Sequence, residues 1–546
     1  MPPFAPSAHL PTHEVTNQPG PFVGRNLYAT DTALREAALR EGGPWIDAPL
    51  HRLGEVAGTE HVLDLGTQAN RYPPELAAFD RQGRRIDEVR FHPAWHELMT
   101  LAMAHRIHDI AWTQTTGGHV AHAALLALFT QAEAGVMCPV NMTYASVPVL
   151  RTQPDIASPW LEKLIGGRYD PALKPLAEKA GVTIGMAMTE KQGGSDVRAN
   201  TTRAAPLGRG TYRLTGHKWF CSAPMSDAFL TLAQTGRGLT CFLIPRITQE
   251  GQRNAIHLMR LKDKLGNRSN ASAEIEYHDA WAQRIGEEGE GIGTIIEMVH
   301  HTRLGTIANT LGIMRMALAQ AVHHVSGRMA FGRLLIDQPA MRAVIADLAL
   351  EYEAAAALVM RVARAFDAAD PPGRAFARLA VAIAKYWLTK RCPAFVHECM
   401  ECLGGGGYVE ESPLPRLYRE APLNGIWEGS GNVIALDILR TLNREPEALT
   451  VYAEEVTLAK GGNTHLNRAA KSLLDRLRAR RHHESEARYV AEQLALILQA
   501  ALLTRHAPPA VADTFCATRL GQDGGRSFGI LPGSADVAGI MARQGG

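Results

Sequence analysis

Cysteine is scarce: seven residues, odd in number and irregularly spaced over 546 positions, which excludes a disulfide framework and predicts reduced thiols. Cys399 and Cys402 stand near His397, but a tetrahedral structural zinc needs four ligands and a second pair at metal-ligand spacing is missing. They read as thiols packed in a helix, and no metal is expected. Net charge is nearly absent as well. With 57 Lys and Arg against 55 Asp and Glu, the formal charge is +2, so the chain as a whole carries no field for nucleic acid or membrane, and any such surface must be local. No uninterrupted apolar run reaches the ~20 residues that span a bilayer. Met1 to Pro6 lacks the basic and apolar regions of a secretory signal. These absences predict a cytoplasmic protein with no membrane partner. No internal repeat is visible.

What is present is length, and a hydrophobic pattern that changes period twice. The chain exceeds the ~250–300 residues at which single cores stop growing, so several units with a large shared core are expected. Residues 1–180 carry helical signals, among them Ala121, Leu125, Leu128 and Phe129, and predict a helical N-terminal domain. Over 181–285 short apolar segments such as Phe229 to Leu232 and Thr240 to Ile244 are separated by turn residues, as strands are. The helical period then returns in Ile307, Leu311, Met314, Leu318, Val322 and Val325, predicting a helical domain over 286–445. A helical extension follows over 446–546, and its glycine-rich end, Gly521 to Gly546, predicts partial disorder. The fold class is mostly α with a central β-domain.

Five short elements carry the chemistry. Thr189 to Asp196, with Gly193, Gly194 and Ser195, follows a strand and lets backbone N–H groups and hydroxyls approach an anionic cofactor closely. Gly216 to Ser222 reads as a turn into a strand, in which Phe220 and Ser222 share one face and Cys221 takes the other. Arg328 to Gly332 ends a helix on a glycine. Gly404 to Gly407 then Tyr408 suits backbone lying against a bulky ligand or a neighbouring subunit, or a plain linker. Last, Ile426-Trp427-Glu428-Gly429-Ser430-Gly431-Asn432 sets a carboxylate beside an aromatic, then a tight turn into a helix N-terminus, which favours anions. A carboxylate among apolar neighbours gains a raised pKa, as a base working near neutral pH requires.

In this order the five elements resemble the acyl-CoA dehydrogenase superfamily, whose pattern in one-letter code is TEPxAGSD, GxKxW[IV]T, RxxFG, GGxGY and EGTS. Here Lys191 replaces the proline, Phe220 the tryptophan and Ser222 the threonine, one glycine is added before Tyr408, and Gly431 and Asn432 interrupt the last motif. The run Met188 to Arg198, with Thr12 to Pro19, Phe91 to Trp95 and the long C-terminal extension, resembles the AidB branch, flavoproteins of the adaptive response to DNA alkylation. The resemblance implies an N-terminal helical domain, a β-barrel-like domain, a C-terminal helical bundle, and FAD in the crevice between the last two. It places Thr189 at the flavin ring, Ser195 at the pyrophosphate, Ser222 near flavin N5 and Phe220 beside the ring. Met186, Met188, Gly194, Cys221, Ile426, Trp427, Gly429, Ser430, Gly431 and Asn432 complete the expected cofactor contacts. Arg328, Gly404 and Gly405 would serve the FAD of a neighbouring subunit, which implies a homotetramer. Glu428 falls where many members hold the base. A subgroup places it before the helix arginine that aligns with Arg303, where this chain has Thr302.

Two functions follow from the resemblance. One is a DNA-associated flavoprotein of the alkylation response, with weak acyl-CoA dehydrogenase activity toward an acyl-CoA or other small molecule. The other is an ordinary acyl-CoA dehydrogenase with no DNA role. Between Lys460 and His483 seven basic side chains face only Asp475, a local positive surface of the kind that binds phosphate backbones. Such a face is also satisfied by pairing with Glu484 and Glu486. Arg440, Arg444, Lys471, Arg478, Arg481 and Arg519 are the expected contacts to double-stranded DNA. No base-reading motif is present, so little sequence preference is expected.

Overall fold

The computed structural model describes residues 6–479 and 483–544. Among the described residues seven helices of 11 residues or more lead the chain: α1 (Thr32–Gly42), α2 (Asp47–Ala57), α3 (Glu60–Arg71), α4 (Pro93–Ala104), α5 (Gly118–Thr130), α6 (Met137–Arg151) and α7 (Pro154–Leu164). Every residue of α5 is buried, because α1, α2, α8 and α9 (below) close around it. Between α3 and α4 the chain forms an antiparallel hairpin, β1 (Glu75–Phe79) and β2 (Arg85–Arg90), in a region where the sequence predicts helices and loops. The Asp80 carboxylate, accepting from the backbone of Gln82 and Arg84, ties its turn.

The β-domain holds β3 (Ile184–Ala187), β4 (Arg203–Gly208), β5 (Thr211–Ser222), β6 (Ala228–Thr235), β7 (Gly238–Pro245), β8 (Ile256–Leu261) and β9 (Ser272–Ile285). The pairings β9–β5, β5–β4, β4–β6, β6–β7 and β7–β9 return to their start. The sheet therefore closes into a barrel, which removes most free edges. β3 lies parallel to β6 outside that ring, and its end leads directly into the Thr189 loop.

The C-terminal helices are α8 (Gly291–Gly327), α9 (Pro339–Phe366), α10 (Pro371–Cys402) and α11 (Gly431–Arg444), with the extension as α12 (Pro446–Thr457), α13 (Thr464–Ala479), α14 (Ala487–His506), α15 (Pro509–Arg519) and α16 (Val537–Met541). The apolar face expected on α8 is present. The opposite side is buried too, so Thr302, Arg303, Thr306, Asn309, Thr310 and Arg315 lie inside the protein. Buried polar side chains need partners: Thr302, Arg303, Asn309 and Thr310 find them in the site below, Thr306 donates to Thr302 O at 2.9 Å, and Arg315 pairs with Asp31 at 3.3 Å.

The extension is part of this core. α14 packs on α9, α10 and α11, burying Leu494, Leu498, Leu502 and Leu503. The described part of the glycine-rich end, expected to be partly disordered, instead packs against α9. Phe528 and Ile540 are buried, and Arg543 pairs with Glu353 of α9 (2.7 Å) and Glu36 of α1 (2.6 Å). Composition misleads here because a few apolar and basic anchors outweigh the entropy of the intervening glycines. All seven cysteines are free and buried. Among the described residues there is no His/Cys/Asp/Glu cluster fit for a metal, and no helix is long and apolar enough to cross a membrane.

Candidate active site

The first two sequence elements are stitched into one surface. Glu190 is fully buried, and its carboxylate accepts from the Lys218 ammonium (2.9 Å), from the Thr201 and Thr202 backbone N–H groups (2.7 and 3.1 Å) and from the Thr201 hydroxyl (3.0 Å). Burial opposes its ionisation, but the Lys218 charge and these donors hold its pKa well below the usual carboxylate range. The Trp219 backbone N–H donates to Thr189 O at 2.7 Å. Thr189 is thereby held at the strand end, facing Gly194, where a Cβ would lie 2.5 Å from the Thr189 hydroxyl oxygen. Gly193 adopts φ +145 with open space around it, and Ser195 is exposed.

Strand alternation on β5 falls as the sequence indicates. Phe220 is 51% exposed, Ser222 is partly exposed and Cys221 is buried in the barrel, so Cys221 offers the outer surface only its backbone. Met186 and Met188 share an apolar cluster with Trp427. The buried Cys138 thiol of α6 has Ser222 as hydrogen-bond partner and Glu428 as a nearby charge, and burial pushes it up to about 12. The Thr189, Ser222 and Glu428 segments thus converge between the barrel and α8.

Glu428 sits at φ +56, a left-handed conformation that a non-glycine residue adopts only when its surroundings impose it. They do so at several points. Lys385 of α10 is 1% exposed and donates from Nζ to Asn424 O (3.2 Å) and Gly429 O (2.7 Å), the carbonyls on either side of the glutamate. Arg303 Nε donates to Glu428 O at 3.2 Å, and its Nη1 to Asp437 at 2.8 Å. Asn424 donates to Asn309 (2.8 Å) and Thr310 (3.0 Å), and accepts from the Trp427 indole (2.9 Å). The Thr302 hydroxyl donates to Glu428 Oε2 at 2.7 Å. Burial raises the Glu428 pKa, against the opposing effects of Thr302, Lys385 and Arg303. Burial, with help from Arg303 and against Glu428, pushes the Lys385 ammonium down to about 7. Sequence reasoning singled out Glu428, met Thr302 only as the occupant of the alternative base position, and missed Lys385 and Asn424, whose single signal is a polar residue in a buried helix or turn.

Ile426 is 64% exposed, and Gly429 has φ +101. Ser430 stands at the N-cap of α11 with no side-chain cap bond, Gly431 opens the helix and Asn432 is exposed. The other two elements lie on the protomer surface. Arg328 donates to Asn17 O at 2.8 Å, and Phe331 beyond it is 95% exposed. Gly404, Gly405 and Gly406 have open space where a Cβ would lie, and Tyr408 is 81% exposed.

The expected DNA contacts are dispersed. Arg440 and Arg444 are exposed near the end of α11, and Lys471 and Arg478 are exposed on α13. Lys471 is paired with Asp475 at 2.6 Å and Arg440 lies 3.6 Å from Asp437. Arg476 pairs with Glu486, so part of the basic run is internally satisfied. Arg481 lies outside the described residues. Arg519 departs from the expectation: its side chain is 12% exposed and bonds Asp347 (2.5 Å) and Glu351 (3.1 Å) of α9. Those two carboxylates draw the guanidinium inward and occupy it.

Residues 17–171 match the Adaptive response protein AidB N-terminal domain, 185–280 the acyl-CoA dehydrogenase middle domain and 289–443 the acyl-CoA dehydrogenase C-terminal domain. The chain is 48% identical to the Escherichia coli (strain K12) AidB protein over 95% of its own length and 96% of that protein's. It is 30% identical to Caenorhabditis elegans acyl-CoA dehydrogenase family member 11, covering 90% of this chain and 85% of the relative. The crystal structure of C. elegans ACDH-11 in complex with C11-CoA superposes with a TM-score of 0.84 at 28% identity, over 92% of each chain.

Proposed function

The chain belongs to the acyl-CoA dehydrogenase family, in its AidB-like branch, and from that premise we propose that Glu428 is the base with which it desaturates an acyl thioester. It is an FAD-dependent acyl-CoA dehydrogenase-like oxidoreductase, and its residues fit that cofactor. The surface of Thr189, Ser195, Phe220 and Ser222 is accessible, the cradle at Gly193 is open, and the Ser430 hydroxyl is uncommitted at a helix N-terminus. When bound, FAD supplies the acceptor for the substrate's hydride.

The observation that carries the proposal is the Thr302–Glu428 hydrogen bond inside a partly buried, backbone-clamped turn. Thr302 and Arg303 aim the carboxylate, and the raised pKa gives it the basicity to take a proton from the carbon next to the thioester carbonyl. Trp427, next to Glu428 in the chain, packs on the same apolar cluster as Met186 and Met188. The C11-CoA held by the C. elegans neighbour supports an acyl-CoA as the substrate class. Glu428→Gln keeps the shape but cannot accept the proton. Anaerobic bleaching of the flavin by an acyl-CoA is expected to slow by ~10²–10⁴-fold, with FAD retained. Equal bleaching rates would remove Glu428 from the chemistry.

The exposed Arg440 and Arg444 support a second role: association with double-stranded DNA, with little sequence preference, in the response to alkylation damage. α11 carries both arginines at one end and Gly431, beside Glu428, at the other. The exposed glycines at 404–406, Tyr408 and Phe331 support assembly into a homotetramer in which neighbouring subunits cover them.

A further inference from the structure

Among residues that make no hydrogen bond to Glu428 or its clamps, the ends of α1, α9, α12 and α14 surround a cavity of about 240 Å³ lined by Arg40, Glu41, Arg361, Arg364, Glu455, Arg505 and His506. Four guanidinium groups face two carboxylates there. Glu455 is shared by Arg361 Nη2 (2.6 Å) and Arg505 Nη1 (2.7 Å), and Glu41 by Arg40 Nε (2.9 Å) and Arg364 Nη1 (3.6 Å). Each guanidinium carries five N–H donors, so these pairings leave most donors unused. Arg40 Nη2 is buried with no acceptor among the described residues, a state that costs free energy until an acceptor arrives.

Helix C-termini attract basic side chains, and α1, α9 and α14 all end here. The backbone N–H groups of Gly43, Asp367 and Ala507 engage Leu39 O, Arg364 O and Leu503 O in those last turns, so these three carbonyls are not available to the spare guanidinium donors. Burial, then the charges of Arg40 and Arg505, depress the His506 pKa, so this ring adds a neutral donor rather than a further charge. An excess of positive charge with unused planar N–H forks is the chemistry that recognises phosphoryl oxygens.

We infer that this cavity is a binding site for a phosphoryl anion. Glu455, Arg505 and His506 lie beyond residue 443, where the match to the dehydrogenase C-terminal domain ends. The site thus belongs to the extension and its seam with α1 and α9. Its occupant bridges α1, α9 and α14, and binding adds to the stability of that seam.

The test is calorimetric titration of the FAD-loaded protein with sodium phosphate and sodium pyrophosphate, at ionic strength held constant with chloride. A parallel titration uses Arg364→Ala, whose side chain is 58% exposed and makes the longest of the four pairings. Saturable binding is expected in the wild type, weakened about tenfold or more in Arg364→Ala with the unliganded melting temperature unchanged. Arg40→Ala is expected to weaken it likewise. Two source arms accompany this: whether phosphate displaces a labelled DNA duplex, and whether Arg364→Ala weakens that duplex. Displacement together with weakening identifies the phosphodiester backbone as the occupant, and their absence identifies a free phosphate. No heat beyond the chloride control, or equal affinity in both arginine variants and the wild type, overturns the site.

Discussion

A carboxylate that must work as a base has to be desolvated enough to want a proton and paired enough to remain ionised. Burial raises the Glu428 pKa, while Thr302, Lys385 and Arg303 pull it back. The ionised form is the active one, so flavin reduction is expected to fall as pH drops through that raised pKa. Thr302→Val, which removes the opposing hydrogen bond, should move the descending limb to higher pH; an unmoved limb would show that the bond does not tune the base. Glu420 offers a separate check through stability. Its buried carboxyl, pushed up to about 7 mainly by burial and then by Glu133, binds its proton more tightly in the folded than in the unfolded state. That stabilising contribution is complete below the unfolded value and is lost as pH rises through about 7. Glu420→Gln should therefore flatten the fall in melting temperature between about pH 5 and pH 7.5, and an unchanged slope would contradict this. At this scale the sequence singled out Glu428 as the candidate base, through the motif in which many members of the family hold one. It hid Lys385, which acts on backbone carbonyls supplied by a distant turn and so leaves no motif.

Elements were legible where one face alternates with solvent, and less so where burial is complete. α8 has an apolar stripe, yet its polar side is equally buried, so periodicity reports half of its role and the Glu428 turn takes part of the other half. The barrel's strands were visible through turn residues, whereas the β1–β2 hairpin was masked by the charged segment around it. In the extension the sequence offered Glu484 and Glu486 as partners for the basic run but gave none for Arg519. Arg519 shows the difference. It is locked between Asp347 and Glu351, and Gly529 N donates to Asp347 at 2.8 Å. Arg519→Leu leaves two buried carboxylates short of a partner and is expected to destabilise the protein by about 3–5 kcal/mol. Denaturant titration measures this, and limited proteolysis should show earlier cleavage after residue 520. A stability loss under about 1 kcal/mol would mean that the triad is dispensable.

For the molecule as a whole, overall neutrality confines any DNA affinity to patches, and α11 and α13 carry the exposed ones. Fluorescence anisotropy with two unrelated duplexes is expected to give similar affinities, each falling steeply with salt at a log–log slope of about −0.9 per phosphate neutralised. Arg440→Glu with Arg444→Glu should reduce both affinities and the slope, while Arg519→Leu should leave the slope unchanged. Salt-independent binding would return the weight to a plain dehydrogenase. Deleting the extension is a poor test of the same idea, since it would strip cover from α9, α10 and α11. Assembly is checked by Arg328→Glu, expected to lose bound flavin and the tetramer together on gel filtration. A flavin-loaded tetramer in that variant would separate Arg328 from both.

The cover that α14 gives α9 also sets a schedule. The end of α9 at Phe366 and the start of α14 at Ala487 are separated by an interval that a ribosome needs roughly 6–24 s to translate. Throughout that time the nascent α9 has an apolar face and a carboxylate, Asp347, awaiting Arg519, which is not yet made, while Glu351 has only Arg391. Slowing translation between these helices should therefore lengthen the chain's dependence on holding chaperones. Pulse-labelled chains would become trypsin-resistant only after α14 and Arg519 have left the exit tunnel.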